Sequence, residues 1–241
     1  PGKKRPGSGP LNFGVAAGWL REGFTQSGSA KNPSGSDRGL KGEIRRLDLA
    51  LAELSGEERR RTLAAAAMTA YLHAGDSYFP DQHMLAGHPN FMGDAKTPPG
   101  VFAAVMPHHP HAEMWRDHSE RALQLLLRYH TRPRVETWQA RGGRWTENPS
   151  CYLRHCLTAW SDCFAAMRSG AGGRNIFAKP HADELGDYMV NLLGAPYRGQ
   201  RVVPQQGAHS ADYCLPGYPY YALGLGLRDY APLAAENLLW A

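Results

Sequence analysis

From Gly42 onward, apolar residues recur at steps of three and four and almost nowhere alternate, a period that suits helices and leaves little room for a sheet. Ile44, Leu47, Leu51 and Leu54 share one face of a helix expected over 42–54. Ser55 and Glu58 then have capping-box spacing and open a second helix over 57–74, rich in Ala, Leu, Arg and Glu and closed by Gly75. These two helices are expected to pair as a hairpin. A short apolar helix follows over 101–106, then a long one over 111–130 with Trp115, His118, Ala122, Leu125, Leu126 and Tyr129 as its stripe.

The next helix, over 149–168, places Leu153, Cys156, Leu157, Trp160, Phe164 and Met167 on one face. Pro180 opens another that runs to Leu193 and stops at Gly194 and Pro196, and two more are expected over 218–227 and 232–241. Arg201-Val-Val203 is the one weak strand signal. Two aperiodic stretches, 75–100 and 197–217, are longer than plain connectors need to be and rich in turn formers, His and aromatics. The pattern is mainly α: an incomplete α/α toroid of antiparallel helical hairpins, whose long loops gather at one rim while the helices supply the wall.

With 42% hydrophobic residues in 241, the chain can bury a substantial core. Residues 1–38, rich in Gly, Pro and Ser, read as a flexible linker in which Leu11 to Leu20 form a short docking turn; 39–241 reads as the helical domain. No apolar run is long enough to span a bilayer, and the first ten residues lack the apolar core of a signal peptide. No initiator Met is present, and the final residues resemble a helix still running, so truncation at both ends is expected.

A formal charge of +5 and a pI near 9.1 favour an anionic partner. No recognition-helix, zinc-finger or RNP pattern accompanies that charge, so nucleic acid is not expected as a partner. Cys151, Cys156, Cys163 and Cys214 contain no C-x-x-C pair, and Cys156 and Cys163 read as small buried hydrophobes. A Walker loop, a G-x-G-x-x-G after a strand and a G-x-S-x-G elbow are all missing, which removes most nucleotide and serine-hydrolase chemistry. The run His108-His-Pro-His111 has imidazoles enough for a metal, but its spacing is that of a His-rich helix start, and no metal is assigned.

The most informative run is Gly142-Gly-Arg-Trp-Thr-Glu-Asn-Pro-Ser-Cys-Tyr152, which leads straight into a helix. Trp145 offers a flat apolar face for a sugar ring, Glu147 lies just before the helix start where a carboxylate is stabilised, and Tyr152 with His155 follow one turn on. The alternative is that Glu147 and Asn148 cap the helix while Tyr152 packs. This run resembles the turn of heparinase II/III-like α/α-toroid polysaccharide lyases, closely over about a dozen residues, with the hairpin layout agreeing loosely over 42–241.

The resemblance implies an enzyme that cleaves an acidic polysaccharide by β-elimination and needs no organic cofactor. That chemistry requires a group to neutralise the uronate carboxylate, a base for the proton α to it, and an acid for the leaving oxygen. His88, Asn90, Tyr152, His155 and His209 are the catalytic candidates; Arg144, Trp145, Glu147, Asn148, Arg154 and Tyr213 are those for substrate binding. His88-Pro-Asn90 departs from the Asn-His pair of the known lyases. The resemblance also implies a secreted or periplasmic protein with a flanking β-sheet domain outside this chain. Two other functions stay open: a glycoside hydrolase pairing Glu147 with Asp76, Asp81 or Asp94, and a non-catalytic module that binds a glycan or a protein.

Overall fold

The computed structural model describes residues 51–75, 89–131, 144–170, 173–196, 199, 201–205 and 217–241. The chain divides between Glu53 and Leu54, and every helix named below belongs to the second unit, 54–241. Helix accounts for 73% of the described residues and strand for none, so the mainly α class holds. The 1–38 linker, most of the 42–54 helix and most of the 197–217 stretch lie outside the described residues.

Helix α1 (Gly56–Ala74) starts as its sequence dictates. The Ser55 hydroxyl accepts the Glu58 N–H at 3.4 Å, and the Glu58 carboxylate accepts the Ser55 N–H at 3.0 Å, completing the capping box. Arg60 and Arg61 each reach Glu57 at 2.8 Å on its solvent side. Of its nineteen residues only Ala70 is fully buried, in a cluster with Ala103, Ala112 and Trp115.

The aperiodic stretch expected over 75–100 is corrected from Pro89 onward, where two short helices, α2 (Pro89–Lys96) and α3 (Pro98–Val105), follow each other across Thr97. Each opens on proline, whose fixed φ suits a first turn and whose missing N–H costs nothing there. Helix α4 (Ala112–Leu126) continues into a π-helical turn, Leu127–Thr131. Another π-helical turn, Pro149–Leu153, leads into α5 (Arg154–Ser169). The last three helices are α6 (Ala182–Asn191), α7 (Gly217–Leu227) and α8 (Pro232–Trp240). Arg201–Val203 forms no strand; the Val202 carbonyl accepts the Gly194 N–H at 2.9 Å.

Helix α5 is the axis of the unit, packing against α2, α3 and α7. Its predicted stripe is buried throughout, with Cys156, Trp160, Cys163 and Phe164 wholly inaccessible. Helix α3 sits between α4 and α5: a Cβ on Gly100 would stand 2.8 Å from Cys163 Sγ and 3.0 Å from Ser119 Cβ, so only glycine fits. Outside the core, Arg174 reaches Asp117 at 2.6 Å, Glu120 at 3.0 Å and Glu113, and Lys179 joins Glu120, pinning the segment before α6 onto α4.

Candidate functional site

The seam between α2 and the start of α5 brings together residues far apart in sequence. Its closest approach is at Gly93, where a Cβ would lie 3.0 Å from the Cys156 carbonyl and 3.2 Å from the Cys156 Cα. Backbone meets backbone there. The Cys156 thiol donates to the Pro89 carbonyl at 3.1 Å, and burial first, then the Glu147 and Asp94 carboxylates, push that thiol well above its ordinary pKa. Cys156 is thus an inert donor in the wall, as its place on the apolar stripe suggested.

Glu147 reaches across the seam. Its Oε2 accepts the Asn90 N–H at 3.0 Å, placing a carboxylate on the first turn of α2, where the exposed amides and the helix dipole both favour negative charge. The opposite end of α2 is held by other distant groups: the Ser119 hydroxyl donates to the Lys96 carbonyl at 2.7 Å, and His73 Nδ1 donates to the Ala95 carbonyl at 2.7 Å. Burial lowers the His73 pKa, with Lys96 adding to that effect and the Ala95 bond and Asp94 opposing it.

His155 stands one residue from the backbone contact, and its Nε2 lies 2.9 Å from Asp94 Oδ2. Its side chain is 28% exposed and that of Asp94 50%, so the pair lies at the accessible edge of the seam. Tyr152 is three residues earlier, in the π-helical turn that leads into α5, and 38% exposed. Arg154 is half-buried between them in sequence, and its carbonyl accepts the Thr158 hydroxyl at 2.8 Å.

The other predicted residues hold the turn that feeds this seam. Asn148 is a helix cap: its Oδ1 accepts the N–H groups of Ser150 at 2.9 Å and Cys151 at 3.1 Å, and the Ser150 hydroxyl at 2.7 Å. Arg144 closes the end of α4, its N–H donating to the Thr131 carbonyl at 2.9 Å and its guanidinium to the Tyr129 carbonyl at 3.2 Å. Trp145 is only 7% exposed, tilted against His130 with ring centres 6.3 Å apart, so its face is spent mostly on packing rather than offered outward. Asn90 is 8% exposed, and its Oδ1 meets no donor among the described residues. His88, His209, Tyr213, Asp76 and Asp81 lie outside the described residues.

Sequence reasoning missed two features of the site. One is the pairing of Asp94 with His155, sixty-one residues apart, which no local spacing signals. The other is buried His130, whose Nδ1 is 2.8 Å from the Thr146 hydroxyl, next to both Trp145 and Glu147 in the turn. The turn is flanked on both sides by π-helical turns, a distortion frequent at functional sites. The His-rich run lies elsewhere: His109 stacks on Trp115 at 4.4 Å, with Tyr71 edge-on to His109, His111 and Trp115. Among the described residues no three His, Cys, Asp or Glu side chains form a group that could hold a metal.

No protein-family model, no curated protein and no solved structure matches the chain. Among the described residues, no helix is long and apolar enough to cross a membrane.

Proposed function

We propose that the seam between α2 and α5 belongs to an incomplete α/α toroid related to the heparinase II/III-like lyases, and that it binds an acidic polysaccharide and cleaves it by β-elimination. The observation that carries the reading is that Asn90, Glu147 and His155, chosen from sequence, meet at one seam: Glu147 reaches from the turn to the Asn90 N–H on α2, and His155 on α5 stands beside the point where the two helices touch. His155 takes the proton α to the uronate carboxylate, and the electrons of that C–H bond become the new double bond as the C–O bond to the leaving sugar breaks. Tyr152, exposed in the π-helical turn that leads into α5, gives its proton to the leaving oxygen. Arg154, with the excess positive charge of the chain, favours the substrate carboxylate.

One observation favours a second reading. Glu147 reaches the first turn of α2 and Asp94 stands further along the same helix, and a pair of carboxylates on one seam is what a glycoside hydrolase needs. Incubating the chain with a panel of uronate-containing polysaccharides separates the two readings. Ultraviolet absorbance from an unsaturated uronate, lost in Tyr152→Phe and His155→Ala, is the expected result. New reducing ends without that absorbance would replace the lyase by the hydrolase, and binding without either product would leave a glycan-binding module.

A further inference from the structure

We infer that Asp94 is a positioning residue that holds the His155 imidazole in its Nε2–H tautomer, so that the ring's lone pair lies on Nδ1; the inference rests on the lyase reading of the seam. A carboxylate can only accept, so a 2.9 Å contact between Asp94 Oδ2 and His155 Nε2 requires the hydrogen on Nε2. The basic nitrogen of the neutral ring is then Nδ1, and the atom that takes up the substrate proton is fixed.

The contact is built into the fold rather than left to two flexible side chains. Asp94 follows Gly93 and His155 precedes Cys156, the two residues at which α2 and α5 touch. With a Gly93 Cβ position only 3.0 Å from the Cys156 carbonyl and 3.2 Å from the Ala159 Cβ, the helices have no freedom to slide apart or together without a clash or a gap. The Cys156–Pro89 and Glu147–Asn90 bonds fix the same two segments a turn further along. A base whose second nitrogen is held by a carboxylate has one orientation and one tautomer, the division of labour that proton-abstracting histidines require.

Nitrogen-15 spectra of the full chain labelled at histidine, with His155 assigned by its loss in His155→Gln, test this without substrate. The expected spectrum at neutral pH shows His155 as Nε2–H in the wild type and a mixture of tautomers in Asp94→Ala. In the same variant kcat on a cleaved polysaccharide falls by tenfold or more, on the order of the losses seen when an orienting carboxylate is removed, while KM barely moves; Asp94→Glu recovers part of kcat. A wild-type His155 in the Nδ1–H form, or a tautomer unchanged in Asp94→Ala, overturns the inference even if the polysaccharide is cleaved. An Nε2–H ring that depends on Asp94, in a chain that cleaves no uronate polymer, leaves the positioning intact and sinks the lyase reading instead.

Discussion

Helices α1 and α2 are made in opposite ways. Helix α1 carries its own instructions: Ser55 and Glu58 cap it locally, Arg60 and Arg61 brace Glu57 within one turn, and its first two turns are exposed throughout. Helix α2 carries almost none. It has eight residues, six of them buried, and its two ends are held by Glu147, fifty-seven residues away, and His73, twenty-two residues away. An isolated helix of that length does not persist in water, so α2 exists because the tertiary structure completes it. The lesson is that the element placed at the candidate site is also the one whose formation depends on the site's own residues.

The comparison breaks most severely at Gly93. Replacing it by Ala forces a methyl into the Cys156 backbone and should cost about 1–3 kcal/mol, typical of overpacking, read as a lower urea midpoint at unchanged slope. The same methyl on an exposed position of α1 should cost almost nothing. Glu147→Ala comes next, leaving the Asn90 amide without its acceptor; a loss of about 1–2 kcal/mol is expected, and Glu147→Gln should keep part of it because an amide oxygen still accepts. Ser55→Ala should cost about 0.5–1 kcal/mol, and its effect should stay within the first turn of α1.

The smallest effect is a pH dependence. His73 has a lowered pKa in the fold, chiefly through burial, so the unfolded chain binds its proton more readily. Its contribution is therefore fully present above the ordinary histidine value of 6.5 and is lost as pH falls from there through the lowered folded value. Urea unfolding of wild type and His73→Gln should show the wild type losing more stability on acidification over that window. Parallel losses would remove His73 from the account of how α2 is held.

What was legible in the sequence follows the same division. The capping box of α1 and the buried stripe of α5 are local patterns that the sequence displays directly; α6 is shorter than its Pro and Gly signals imply, spanning Ala182–Asn191 behind a left-handed His181 rather than opening at Pro180 and running to Leu193. Helix α2 is hidden in a run rich in Gly, Pro and Asp because its caps are supplied from elsewhere. On α4, Trp115, Ala122 and Leu126 of the expected stripe are buried, but so is Leu123, and in the π-helical turn that follows Leu127 is buried while Tyr129 is 36% exposed. Ser119, a polar residue that an apolar count passes over, shares that buried face. It is buried because its hydroxyl accepts the Gly100 N–H at 2.8 Å and donates to the Lys96 carbonyl. At the site, residue types were legible, but partners were not: Asn148 as a cap was one of two readings, whereas Glu147 reaching Asn90 and His155 reaching Asp94 span distances that no periodicity encodes.

Amide hydrogen exchange across 89–96, compared between wild type and Glu147→Ala under native conditions, tests the dependence of α2 on its distant cap most directly. The account predicts that protection collapses along α2 while α1 exchanges as before. Wild-type protection of α2 in the variant would contradict it.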